Sequence, residues 1–264
     1  MKNSSNIVIH SAKDFKSMRR SGKLAASVLD FITDFIQPGI STDEINTLCH
    51  NKIVENGAIP APLHYKGFPK SICTSVNHVV CHGIPRKKIL NNGDILNIDV
   101  TVILDGWHGD CSRMYYVGDK VSIKAKRLIK VTYEAMMKAI EIVRPNLPLY
   151  EIGKAIETHI QKFNYSSVRE YCGHGIGKEF HTQPNILHYY DINNDTTLKK
   201  GMFFTIEPMI NAGRYETKIL NDKWTVVTKD NSLSAQFEHT IGVTENGYEI
   251  FTKSLKNLSF PPYI

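Results

Sequence analysis

The chain has no Cys-x-x-Cys pair, and its five cysteines, Cys49, Cys73, Cys81, Cys111 and Cys172, are odd in number. A disulfide framework and a thiolate zinc site are therefore not expected, and the cysteine usage fits a reducing, cytoplasmic compartment. The first residues show no apolar core of the secretory-leader kind, so export is not expected. The most apolar early run, Leu24 to Ile36, is interrupted by Asp30 and Asp34, so no segment is expected to span a membrane. Nor does one charge dominate: 32 Lys and Arg stand against 26 Asp and Glu, a net +6. That balance predicts no stable nucleic-acid complex. The basic clusters Arg86-Lys87-Lys88 and Lys124 to Lys130 read first as solvated surface. Long linkers and low-complexity tracts are also absent, so the 264 residues are expected to close around one sizeable core.

What is present begins with helix signals. Residues 1–10 are polar and expected to be loosely held, as part of an extension over 1–12 ahead of one domain over 13–264. Ser11-Ala-Lys-Asp14 is a capping-box start, with Asp in place of Glu. Phe15, Met18, Gly22, Ala25, Val28, Leu29, Ile32 and Ile36 follow at helical spacing, up to Pro38-Gly39. Ser41-Thr-Asp-Glu44 caps a second helix, which stops near Gly57. A loop with Pro60, Pro62 and Pro69 leads to strand-like Ser71 to Val76 and then Val79 to Pro85. Helical spacing returns over 122–143, and again from about Tyr150 to Phe163.

The second pair of helices copies the first. At an offset of 107, Pro38, Ile40, Glu44, Ile45 and Ile53 match Pro145, Leu147, Glu151, Ile152 and Ile160. At an offset of 108, Gly93-Asp-Ile-Leu-Asn-Ile-Asp99 aligns with Gly201-Met-Phe-Phe-Thr-Ile-Glu207. Two offsets that agree within one residue, with an acid at the same place, point to an internal two-fold. The expected halves, about 13–118 and 119–252, are each a helix–helix–strand unit.

Between the helix pairs lies Asn97-Ile-Asp-Val-Thr-Val-Ile-Leu-Asp-Gly-Trp-His-Gly-Asp-Cys-Ser112. Asp105-Gly106 is a strong two-residue hairpin signal. With those two in the turn, paired positions sum to 211, so Asp110 faces Thr101 and Cys111 faces Val100. Asp99 then shares a face with Asp110 as its diagonal neighbour, roughly 7–8 Å away. Two carboxylates on one face of an apolar strand pair repel unless a cation or a proton lies between them.

The duplication brings Glu207 and Glu238 opposite Asp99 and Asp110. Glu238 lies on a final strand, Ser234 to Val243, where Gln236, Glu238 and Thr240 share one face and Phe237 and Ile241 the other. His174, in Cys-Gly-His-Gly-Ile-Gly, adds one nitrogen donor. Hard oxygen donors with one imidazole suit Mn, Fe, Co or Zn as a carboxylate-bridged pair. Two ions about 3.5–4 Å apart can share a water and ready it for attack on a carbonyl. Metal-assisted hydrolysis is the chemistry these residues imply.

Six ordered motifs carry a family resemblance: His82-Gly-Ile-Pro, Asn97-Ile-Asp-Val-Thr-Val, Asp105-Gly-Trp-His-Gly-Asp110, Cys172-Gly-His-Gly-Ile-Gly, Phe204-Thr-Ile-Glu-Pro-Met209 and Ala235-Gln-Phe-Glu-His239. Together, over about Lys13 to Phe251, they resemble the type I methionine aminopeptidases. The resemblance implies an α+β "pita-bread" fold, with pseudo-symmetric halves around a curved antiparallel sheet that holds two divalent ions. It also implies removal of N-terminal methionine from peptides and nascent chains, with a metal-bridged hydroxide attacking the first peptide carbonyl. By the same resemblance Asp110 and Glu238 bridge the metals, Asp99 completes one site, and His174 and Glu207 complete the other. Glu207 shuttles a proton, His181 donates to the scissile carbonyl oxygen, and His82 bonds the scissile amide nitrogen. Tyr65, Phe68, Cys73, Phe180 and Trp224 line the methionine pocket, while His108 and His239 are read as structural.

Pro62 and Phe68 stand where several bacterial relatives carry cysteine and tyrosine, which affects pocket shape and leaves the donor set intact. The resemblance is to the bacterial minimal form, expected to be without the zinc-binding extension of eukaryotic type I relatives and the helical insertion of type II. The resemblance further implies a monomer, and contact with the ribosome through Arg86, Lys87 and Lys88. The competing readings are an Xaa-Pro aminopeptidase or prolidase, and a non-catalytic pita-bread protein that binds peptides or RNA.

Overall fold

The computed structural model describes residues 7–263. Four helices form where the spacing predicts them: α1 (Ala12–Ile32), α2 (Thr42–Glu55), α3 (Ile123–Glu141) and α4 (Tyr150–Ile160). Reciprocal capping boxes close the N-termini of α1 and α2. Ser11 Oγ accepts from the Asp14 N–H and Ser41 Oγ from the Glu44 N–H, and each acid accepts the cap residue's own N–H in return. Helix α1 stops earlier than its Pro-Gly signal suggests. Thr33 Oγ1 donates to Leu29 O at 2.8 Å, and a 3-10 turn over Thr33–Phe35 replaces the last helical turn. Helix α4 likewise gives way to a 3-10 turn at Gln161–Phe163, ended by Asn164 in the left-handed region at φ 59°.

The central hairpin pairs Ile95–Leu104 with Trp107–Tyr116. Asp105 (φ 51°) and Gly106 (φ 76°) both take positive φ, as a type I′ turn requires. The register follows: Thr101 pairs with Asp110 and Val100 with Cys111. This hairpin belongs to a nine-stranded sheet. Across its middle the order is Ile95–Leu104, Trp107–Tyr116, Glu238–Val243, Phe203–Ile206, Gly173–Gly175 and Thr182–Ile186, with every pairing antiparallel.

The seam between the halves runs where Glu238 pairs with Ser112 and His239 with Cys111. On either side of it, an inner strand bears Asp110 or Glu238. The outer strand beside each leads to Asp99 or Glu207. That order is the one a two-fold duplication requires.

Strand parity decides which way the acids face. Ile98, Val100 and Val102 pack with Ala25, Leu29, Ile45 and Ile53 of α1 and α2. Phe204, Ile206, Phe237 and Ile241 pack with Leu128, Met136, Ile152 and Ile156 of α3 and α4. Each fully buried aliphatic or aromatic side chain contributes about 1.5–3 kcal/mol, so the register is held from the helix side. Side chains alternate, so Asp99, Thr101, Asp110, Thr205, Glu207, Glu238 and Thr240 are left on the opposite face. The final strand is not continuous. It breaks at Phe237, so Ser234–Gln236 pairs with Met209–Asn211 in a small separate sheet and only Glu238–Val243 joins the large one.

Of the N-terminal stretch expected to be loose, residues 1–6 lie outside the described residues, Val8 and Ile9 are exposed, and Ile7 and His10 are docked. His10 stacks on Phe203 with ring centroids 4.1 Å apart, and its N–H donates to Gly201 O at 2.8 Å. A polar reading of this stretch overlooked the flat ring face of His10. Among the described residues, no helix is long and apolar enough to cross a membrane. All five cysteines are free.

Candidate metal centre and substrate cavity

The open face of the sheet looks into a cavity of about 650 Å³. Asp99, Asp110, His174, Glu207 and Glu238 all line it, two acids from each half of the chain. Asp110, His174 and Glu238 each offer a donor atom, and these atoms lie within 4.8 Å of one another. His174 Nε2 is 3.8 Å from Asp110 Oδ2 and 3.6 Å from Glu207 Oε1.

His174 can sit here because glycines flank it. A Cβ at Gly173 would collide with Thr205 O, and one at Gly175 with Gln183 O. Hydroxyl and amide donors orient the acids. Thr101 Oγ1 donates to Asp110 Oδ1 at 2.7 Å, and Thr240 Oγ1 donates to Asp110 O at 2.7 Å. Thr205 Oγ1 donates to Glu207 Oε1 at 2.8 Å while accepting the His174 N–H at 3.0 Å. Gln236 Nε2 donates to Glu207 Oε2 at 3.2 Å, and the Glu207 N–H donates to His188 Nε2 at 3.1 Å.

Burial without a cation makes these acids weak. Desolvation raises Asp99 to about 7 and Glu207 to about 8. It drives Asp110 and Glu238 well above the carboxylate range, helped by their acidic neighbours. Desolvation also lowers His174 to about 4, so it is a neutral imidazole with a lone pair to give. Among the described residues no Lys or Arg pairs with any of the four acids. A buried acid cluster with neutral imidazole and no basic counter-ion suits a divalent cation, in donor type and in spacing.

The remaining expected residues ring the same cavity: Tyr65, Phe68, Cys73, His82, Phe180, His181 and Trp224 all line it. Phe68 and Trp224 meet edge to face at 5.2 Å, and Tyr65 and Phe180 meet at a tilt, 4.9 Å apart. His82 has a left-handed backbone at φ 54°, followed by Gly83, where a Cβ would strike Thr74 O. Burial lowers His82 to about 4. His181 lies at the mouth, its ring centroid 4.2 Å from that of His174. His108 donates through its backbone N–H to Gly177 O at 2.8 Å and stacks on Phe180 from outside the cavity lining. His239 contacts Thr252 Oγ1 at 2.9 Å, away from the acids.

From the sequence Thr101 was placed opposite Asp110 without its hydroxyl's role, and Thr205 and His188 were not singled out. The two threonines carried a signal, since each lies two residues from an acid on the same strand face. His188 carried none, because its bond to the Glu207 backbone depends on how distant segments cross.

The profile of metallopeptidase family M24 matches residues 16–245. A methionine aminopeptidase of Rickettsia prowazekii (strain Madrid E) is 66% identical over 258 residues, which cover 97% of this chain and 99% of that protein. The crystal structure of methionine aminopeptidase from Rickettsia prowazekii superposes with a TM-score of 0.91, covering 93% of this chain and 99% of that one. The prolidase of Pyrococcus horikoshii OT3 superposes at 0.71 with 24% identity, over 94% of this chain but 64% of that one. At that identity the likeness speaks for the fold alone.

Proposed function

The chain belongs to metallopeptidase family M24, and on that premise we propose that it is a methionine aminopeptidase, removing the N-terminal methionine from peptides and nascent proteins. The observation that carries this reading is a buried cluster of acids and one imidazole that opens into a cavity walled by aromatic rings. High identity over nearly the full length favours it over an Xaa-Pro peptidase. The presence of all five donor residues favours it over a non-catalytic binder.

In this reading Asp110, Glu238 and His174 hold a divalent ion, and Asp99 and Glu207 complete the donor set for a pair. Mn, Fe, Co and Zn all suit these donors. When bound, such ions make a water nucleophilic near neutral pH and polarise the carbonyl it attacks. The protein does the rest. Glu207, oriented by Thr205 and Gln236, takes the water's proton and passes it to the leaving amine. His181 donates to the carbonyl oxygen as charge gathers there. His82, neutral at physiological pH, accepts from the scissile amide N–H and fixes its position. Tyr65, Phe68, Cys73, Phe180 and Trp224 surround the thioether, which favours aromatic and soft neighbours. The Asp99 side of the donor set would hold the substrate's free amine, which would restrict cleavage to the first residue.

The working place is the cytoplasm, on chains as they are made, and the protein acts as a monomer. Arg86 and Lys87 are exposed, and neutralising them with Lys88 should reduce co-sedimentation with ribosomes. The activity test is a peptide panel on chelated protein re-supplied with Mn, Fe, Co or Zn. Met-Ala-Ser should be cleaved and Xaa-Pro peptides left intact; the reverse pattern would refute the assignment.

A further inference from the structure

The Tyr65 hydroxyl lies 3.0 Å from His181 Nδ1. Tyr65 is held there by an unusual turn. The residues on either side, His64 (φ 68°) and Lys66 (φ 48°), both have left-handed backbones, a conformation that bulky side chains rarely adopt. Four backbone hydrogen bonds lock the turn: Tyr65 N–H to Pro62 O, His64 N–H to Phe68 O, Gly67 N–H to His64 O and Phe68 N–H to Tyr65 O. Strained residues held by their surroundings mark places where geometry matters to function. The rings confirm the placement: Tyr65 is 5.3 Å from His181 and 4.9 Å from Phe180, so it reaches past the pocket wall to the imidazole.

We propose that Tyr65 is a positioning residue for His181 as well as part of the pocket wall. Its O–H donates to Nδ1 and so fixes the tautomer and ring angle that leave Nε2–H as the donor to the substrate carbonyl. In a neutral imidazole one nitrogen donates and the other accepts, and the bond at one nitrogen sets the proton on the other. A hydroxyl donating to Nδ1 is compatible only with the proton on Nε2. Without it, the Nδ1–H form and a rotated ring become accessible, and neither presents a proton to the carbonyl oxygen. The inference rests on His181 acting as the carbonyl donor.

The test uses the full-length protein loaded with zinc, in four forms: wild type, Tyr65→Phe, His181→Ala and the double variant. Phenylalanine keeps the aromatic wall, so KM for Met-Ala-Ser should stay within about twofold while kcat falls about tenfold, the scale of one neutral hydrogen bond. Added to His181→Ala, the Tyr65→Phe change should cost nothing further. Imidazole nitrogen NMR, with His181 assigned by its loss in His181→Ala, should show Nε2 protonated in wild type and a mixture of tautomers in Tyr65→Phe. A wild-type His181 protonated at Nδ1 would overturn the inference without reference to any variant. Tyr65→Phe with wild-type kcat, beside an impaired His181→Ala, would overturn it alone. Full activity in His181→Ala would overturn the carbonyl-donor reading and this inference with it.

Discussion

The acids at the centre differ in how they are held, and that difference is testable one hydroxyl at a time. Asp110 is buried, and its Oδ1 accepts from Thr101 Oγ1 at 2.7 Å, which fixes the carboxylate plane and leaves Oδ2 towards His174. Partners of this kind typically change metal affinity by about 10–100-fold. Thr101→Val keeps the shape and removes the bond. Calorimetric titration of the chelated variant with Mn should show an affinity lower by that factor, with a melting temperature close to wild type without metal. Asp99 and Asp110 were legible as a pair because a two-residue turn and a period of two fix their side. Tyr65 was legible as pocket wall only. Its bond to His181 joins residues 65 and 181, and nothing in local spacing carries such a contact.

Among the elements, the hairpin and the helices behind it set the register, so the ties between them matter most. Arg113 on the hairpin bonds Asp30 of α1 at 2.6 Å, with both side chains 4% exposed. Asp30 also accepts from Ser254 Oγ at 2.7 Å and from the Leu255 N–H at 3.0 Å, pinning the C-terminal segment to the same helix. Asp30→Ala strands a guanidinium in the core and leaves those donors unpaired. It should destabilise the fold by about 3–5 kcal/mol, read from chemical denaturation. Replacing both Asp30 and Arg113 with apolar residues should cost less than Asp30→Ala alone. From sequence Asp30 only interrupted an apolar run, and its partner 83 residues away was not visible. The helices and the hairpin were visible, because capping boxes, Asp-Gly and apolar spacing are local signals. The break of the last strand at Phe237 was not, since it depends on which sheet each piece joins.

Over the whole molecule, the doubling of the chain is what brings four acids into one place, and it fixes the behaviour with pH. Without metal, the folded state holds Asp99 at about 7 and Glu207 at about 8, above their ordinary values. The folded protein therefore binds more protons than the unfolded chain between roughly pH 4 and pH 8. The stability contributed by these groups is fully present below the unfolded values and is lost as pH rises through the folded ones. Melting temperatures of chelated protein should fall from pH 5 to pH 8 relative to metal-loaded protein, and the gap between the two should widen in the same direction. Metal binding near pH 7 should release protons, seen as a dependence of binding heat on buffer ionisation enthalpy.

The most direct measurement takes chelated wild type, Asp110→Asn and Glu238→Gln and adds back Co or Mn, following metal uptake and Met-Ala-Ser hydrolysis together. Wild type should recover turnover in step with uptake. Each variant should stay folded by circular dichroism and show no turnover at any metal concentration. Full turnover in either variant, or in wild type kept free of metal by chelator, would contradict the account.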